Sequence, residues 1–161
     1  MAAGARLDET EMRAWRALLQ ASTLLVERLD RELQADHGLS LSEYEVLVLL
    51  QQAPRHRRRM SELAGDALLT RSRLTHTVDR LERAGLVRRE ACETDRRGSF
   101  AVLTRDGYRM LARASRTHLA GVRGRFLEPL DPGQVAVLAD ALGQVAAELR
   151  TEVSPGSATT S

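Results

Sequence analysis

Ser72, Arg73, Thr75, His76, Arg80 and Arg83 cluster within twelve residues of one another, interrupted by Leu74, Val78 and Leu81. On a helix advancing about 100° per residue, Val78 and Leu81 fall within about 40° of Leu74 and form a packing stripe. Ser72, Arg73, His76, Asp79, Arg80 and Arg83 fall on the opposite half. Such a face could hydrogen-bond base edges: one arginine can donate two bonds to O6 and N7 of guanine, worth about 1–3 kcal/mol of discrimination. The N-terminal part of a groove-reading helix usually reaches the bases. Ser72, Arg73, Thr75 and His76 are therefore the base-reading candidates, with Arg80 further along the same helix. Ser61, Thr70 and Arg71, at or beside expected helix N-termini, suit phosphate contacts. The plainer alternative is a solvated charged face on which Asp79 and Arg83 pair at i, i+4.

A second cluster is Asp95-Arg96-Arg97-Gly98, a turn between two strands of alternating character. A carboxylate two residues from an arginine can hold its guanidinium in one orientation. An arginine so presented can enter a narrow minor groove, where the negative potential is enhanced. By itself the pair could equally be a surface turn with a weak ion pair.

The elements that must position these residues can be read from periodicity. A long helix is expected from about Asp8 to Asp36, with Trp15, Leu18, Leu19, Leu25, Val26, Leu29 and Leu33 at helical spacing and Gly38 as its C-terminal cap. Ser42, with Glu45 three residues on, opens a second helix that ends before Pro54. The run Arg55-His56-Arg57-Arg58-Arg59 is either a solvated loop or a loop facing phosphates. Ser61 caps a short third helix with Leu63 and Ala64 buried, and Thr70 caps the fourth, which runs from Arg71 to Ala84 and stops at Gly85. Leu86–Cys92 and Ser99–Leu103 read as strands of a hairpin. A fifth helix begins at Thr104 or Asp106 and reaches about Phe126; Asp131-Pro132 opens a sixth, ending near Glu152. Val135, Leu138, Leu142, Val145 and Leu149 on that helix form an a/d seam, either a core stripe or a subunit interface. Residues 153–161 read as a flexible tail.

Composition narrows the class. The chain has 161 residues and a net charge of +2, but residues 1–54 sum to −4, 55–97 to +5 and the remainder to +1. A basic middle between less basic ends is the footprint of a nucleic-acid reader. All 24 basic residues are arginine, which a GC-rich genome would also produce. Aromatics are 3% of the chain, so the core must be aliphatic, which suits packed helices. No apolar run approaches the roughly 18 residues of a membrane helix, and no signal peptide is expected, since Asp8, Glu9 and Glu11 stand where its apolar stretch would be. A cytoplasmic location follows. Cys92 stands alone, and His37, His56, His76 and His118 are scattered without ligands at metal spacing, so neither metal nor cofactor is expected. There is no Gly-rich phosphate loop or nucleophile elbow, which argues against an enzyme.

Asp95, Arg97, Leu103, Thr104 and Gly107 stand in the register Asp-x-Arg, five residues, Leu-Thr, two residues, Gly; residues 78–87 read Val-Asp-Arg-Leu-Glu-Arg-Ala-Gly-Leu-Val. In both features the chain resembles the MarR family of winged helix-turn-helix regulators, over roughly residues 10–150. The resemblance implies a mainly α fold with a small β-hairpin wing. The winged helix-turn-helix DNA-binding domain would span 41–104, and a helical dimerisation region would be formed by 8–40 and 105–152. It further implies a homodimer on a pseudopalindromic site in double-stranded DNA, acting as a repressor released by a small, often aromatic, ligand. Arg97, and secondarily Arg96, would enter the minor groove with Asp95 as orienter. Trp15, Arg16 and Tyr44 could line the ligand pocket; alternatively Trp15 and Tyr44 are core residues and Arg16 a surface one. Cys92 is expected to be a packed strand residue. The competing function is a winged-helix protein-interaction module without DNA binding, which would call for a recognition face poorer in arginine than Arg73, Arg80 and Arg83 make this one.

Overall fold

The computed structural model describes residues 6–92 and 95–152, with backbone only for residues 95–97, 151 and 152. The expected tail at 153–161 lies outside the described residues. The chain divides into two compact units, Met1–Gly121 and Val122–Ser161. Its elements are mainly helical, with one three-stranded antiparallel sheet.

In the first unit, helix α1 (Glu9–His37) is opened by Asp8, whose carboxylate accepts from the Glu11 N–H while Glu11 accepts from the Asp8 N–H, both at 2.8 Å. Gly38 ends it at φ +66, where a side chain would be strained. Only Leu29 and Leu33 of its apolar residues are fully buried; Leu18, Leu19, Leu24 and Val26 are exposed.

Helix α2 (Leu41–Gln52) corrects the expected start. The sequence holds two overlapping Ser-x-x-Glu boxes, Ser40/Glu43 and Ser42/Glu45, and the first is used. The tertiary structure decides between them. Starting at Ser40 places Leu41 in the core, lets Asp30 of α1 accept from the Leu41 N–H at 2.7 Å, and buries Glu43.

The basic run is a second correction, because it is not a loop. Arg55 and His56 turn the chain at φ +56 and +53, and Arg57–Arg59 form strand β1. Arg57 stacks 4.0 Å over the Phe100 ring and pairs with Glu90 at 3.5 Å; Arg58 pairs with Asp66 at 2.9 Å; Arg59 reaches the Cys92 sulfur at 3.4 Å. The neighbouring strands and helix supply the partners that make a polar three-residue strand tenable.

Helix α3 (Met60–Asp66) starts one residue before Ser61, so Ser61 is not its cap. Arg59 is still paired with Phe100 across the sheet, in extended backbone, and no side chain caps the helix. Helix α4 (Arg71–Arg83) is capped by Thr70, whose hydroxyl accepts from the Arg73 N–H at 3.3 Å. Gly85, at φ +71, then reverses the chain into β2 (Val87–Cys92). Strand β3 (Asp95–Leu103) is longer than expected and lies at the centre, in the order β1-β3-β2. Its register with β2 shifts between Ala91 and Cys92, the mark of a bulge at the end of β2.

Helix α5 (Arg105–Val122) starts at a junction that explains the Leu-Thr-x-x-Gly spacing. Thr104 accepts from the Gly107 N–H at 3.0 Å and donates its hydroxyl to the Gly85 carbonyl at 2.7 Å, while its own N–H binds the Leu86 carbonyl at 3.1 Å. A Cβ on Gly107 would lie 2.1 Å from that same Leu86 oxygen. Further along α5, the Tyr44 hydroxyl donates to Ser115 at 3.3 Å, the Tyr44 and His118 rings lie 4.5 Å apart, and Thr117 bonds His37 and Asp36.

In the second unit, α5 gives way to a π turn at Arg123–Leu127, so the α-helix ends before the expected Phe126. Helix α6 (Pro132–Glu152) is opened by a reciprocal pair of 2.9 Å bonds between Asp131 and Gln134. Along its seam Val135 and Leu138 are half-buried, whereas Leu142, Val145 and Leu149 are exposed.

The Gly107 contact generates a stability prediction. Gly107→Ala forces a methyl against backbone that cannot rotate away, at a cost of about 2 kcal/mol or more. Denaturant unfolding should show this as a lower midpoint; a midpoint equal to the parent's would contradict the packing described.

Candidate nucleic-acid interface

Leu74, Val78 and Leu81 are each at most 1% exposed, so the stripe read from the sequence is the buried side of α4. Ser72, Arg73, Thr75 and His76 are exposed together on its N-terminal part. Ser61 on α3, Arg71 and Thr75 on α4, and Gly98 and Ser99 on β3 line one cleft of about 200 Å³. The two helices and the outer half of β3 therefore line one cleft. The Thr75 hydroxyl donates to the Arg71 carbonyl at 2.9 Å, which leaves its lone pairs as acceptors. Thr70 is at the helix start, with its side chain turned to the cap.

The outer residues of α4 are held differently from the simplest sequence reading. The Arg80 Nε pairs with Glu43 of α2 at 3.0 Å, while over half of the Arg80 side chain remains exposed. Asp79 does not pair with the Arg83 guanidinium through its carboxylate. Arg83 instead donates to the Asp79 carbonyl at 3.3 Å, and the Asp79 carboxylate takes Arg89 of β2 at 2.6 Å. Arg89 also pairs with Glu82 at 3.0 Å, donates its N–H to the same carboxyl at 3.0 Å, and reaches the Thr75 carbonyl at 3.4 Å. Strand β2 is thus tied to α4 along nearly two turns. Sequence reasoning missed Arg89 and Glu43 as positioning residues. The strand alternation that turns Arg89 towards α4 was the available signal.

Leu68 sits between α3 and α4 at φ +51 with 86% of its surface exposed. That conformation is one glycine adopts at lower cost. Asp95, Arg96 and Arg97 are in β3 by their backbone; their side chains lie outside the described residues.

The residues suggested for ligand binding are not brought together. Tyr44 is buried and lines a cavity of about 250 Å³ with Val48, Gln51, Tyr108, Leu111, Ala112 and Ser115. Trp15 is 50% exposed and Arg16 exposed on α1, and neither lines that cavity. Beside it, burial holds the His118 imidazole below its ordinary pKa. Burial also raises the Glu45 carboxyl. Among the described residues no three His, Cys, Asp or Glu side chains gather as a metal site requires. None of the helices is long and apolar enough to cross a membrane, again among the described residues.

Comparison with known proteins gives this geometry a family. The model of the MarR family matches residues 39–99. The chain is 30% identical over 129 residues to the HTH-type transcriptional regulator PecS of Dickeya dadantii, covering 79% of this chain and 76% of that protein. Two Streptomyces coelicolor crystal structures of MarR family transcriptional regulators superpose closely. AbsC gives a TM-score of 0.84 at 42% identity, covering 91% of this chain and 99% of its own. Sco3205, crystallised in complex with DNA, gives 0.86 at 44% identity, covering 92% and 93%. With these identities, coverages and TM-scores, the chain belongs to the MarR family of transcriptional regulators, which are not enzymes.

Proposed function

We propose that the chain works as a cytoplasmic homodimer that binds a pseudopalindromic site in double-stranded DNA and represses transcription until a small ligand releases it. The observation that carries the reading is the outward face of α4, exposed from Ser72 to His76 and backed by a fully buried stripe. In this reading Ser72, Arg73, Thr75 and His76 meet base edges in the major groove. Ser61, Thr70 and Arg71 meet phosphates, with Arg80 on the same strand side. Arg97 and Arg96 enter the adjacent minor groove, with Asp95 as orienter. The DNA complex of the 44% identical Sco3205 supports DNA as the partner.

Residues 41–104 would form the DNA-binding domain, and 8–40 with 105–152 the dimerisation region. Apolar side chains left in solvent support the second assignment. Trp15, Leu18, Leu19, Leu24 and Val26 are exposed on α1, and Val137, Leu142, Val145 and Leu149 on α6. Faces of this extent call for a partner surface, and a second copy supplies it. The cavity beside Tyr44 would receive the ligand. Its lining offers hydroxyls and an amide with no guanidinium, so a small aromatic compound with neutral polar groups fits it better than one needing a cation.

Two measurements test this. If a dimer neutralises about 8 phosphates, log affinity for a selected duplex should fall with log salt at a slope of about −7. A flat salt response defeats the DNA reading and favours a protein-interaction module. Leu142→Asp places a charge in the middle of the α6 seam and should shift sedimentation from dimer to monomer, with DNA affinity falling at least about tenfold as the second half-site contact is lost. A variant that sediments as a dimer would show that the seam lies outside the subunit interface.

A further inference from the structure

We infer that Glu43 is a positioning residue for DNA binding, holding the Arg80 guanidinium so that its outer edge faces a phosphate at the rim of the major groove. This deepens, and rests on, the proposal that α4 enters that groove. Glu43 is 4% exposed and is the one buried charged side chain among the described residues. Its Oε2 accepts from the Ser40 N–H at 2.8 Å and the Ser40 hydroxyl at 3.0 Å. Its Oε1 faces the Arg80 Nε at 3.0 Å. The segment carrying it is itself anchored, since Asp30 of α1 accepts from the adjacent Leu41 N–H at 2.7 Å. The carboxylate therefore cannot follow the arginine outwards, and the arginine is held at the carboxylate.

The consequence follows from the shape of the guanidinium. Its five N–H donors form a rigid fork. With Nε committed to Glu43, the Nη donors that point away from the carboxylate remain on the exposed edge. Arg80 lies seven residues beyond Arg73, about 10.5 Å along the helix axis, and about 20° round from it. The major groove is about 12 Å wide. When Arg73 is at base edges, Arg80 is at the groove rim, where phosphates run. A long arginine side chain normally loses much of its freedom on binding. Here Glu43 has restricted it beforehand.

The role is separable from a purely structural one. Glutamine serves at the third position of a capping box as glutamate does, so Glu43→Gln keeps the α2 cap and removes the charge pair. The experiment measures dissociation constants by fluorescence anisotropy, on a duplex selected by the wild-type dimer from a random-sequence pool. It compares wild type, Glu43→Gln, Arg80→Ala and the double variant, each corrected for its folded fraction. Arg80→Ala should weaken binding about tenfold and reduce the salt slope by about 2 per dimer. Glu43→Gln should weaken it about fivefold. The double variant should bind like Arg80→Ala alone, because Glu43 acts through Arg80. Arg80→Lys, which keeps the charge without the fork, should lose nearly as much as Arg80→Ala.

Multiplicative losses in the double variant would overturn the inference, as would Glu43→Gln binding as tightly as wild type or more tightly. Should Glu43→Gln fail to fold, wild-type affinity in Arg80→Lys would overturn it equally. Failure of the wild type to select any duplex overturns the DNA reading and this inference with it. Selection by the wild type with independent variant effects overturns this inference alone.

Discussion

Three aliphatic side chains on one helix, Leu74, Val78 and Leu81, set the constraint from which the rest follows. Their burial is worth about 1.5–3 kcal/mol each and fixes the rotation of α4 about its own axis. Once that rotation is fixed, Ser72, Arg73 and His76 have no choice but to face solvent. The helix is then gripped at two edges by ions. Arg80 reaches back to Glu43 on α2, and Asp79 and Glu82 take Arg89 from β2. Hydrophobic burial supplies most of the holding energy, because partly exposed ion pairs contribute little to stability. The ion pairs contribute direction. They tie α4 to β2 and to α2, and so hold the outward face of α4 at a fixed orientation to the hairpin.

The junction at Leu86 extends the same constraint to the following helix. One carbonyl receives the Thr104 N–H and excludes a side chain at position 107. The threonine hydroxyl bonds the neighbouring Gly85 carbonyl while capping α5. The spacing Leu103-Thr104-x-x-Gly107 is therefore a packing rule for strand-to-helix closure, and a DNA contact need not be invoked for it.

What could be read from the chain was whatever depended on neighbours in sequence. The stripe on α4, the Thr70 cap, the Gly38 and Gly85 stops and the Asp131-Pro132 start all rest on interactions within a few residues, and the structure has each of them. What could not be read was set at long range. The two overlapping capping boxes at Ser40 and Ser42 are indistinguishable locally, and Asp30 and the core decide between them. Strand β1 is three arginines, with neither apolar alternation nor β-branched residues, and it exists because Phe100, Glu90 and Asp66 lie where they do. Within the candidate site the outward residues of α4 were legible, but the partners that aim Arg80 and brace the wing were not. Trp15, Arg16 and Tyr44 show the limit most clearly: an aromatic pair with a nearby cation suggested a pocket for an aromatic ligand, whereas the cavity that Tyr44 lines includes neither Trp15 nor Arg16.

The central claim is that α4 lies in the major groove of a duplex straddled by two copies of the chain. Tethering an iron chelate at residue 76, in a His76→Cys, Cys92→Ala background, maps the helix onto DNA directly. Two symmetric clusters of strand cleavage are expected, centred about one helical turn apart and placed on the major-groove side of each half-site. Uniform cleavage, a single unpaired cluster, or protection from cleavage at the half-sites would contradict it.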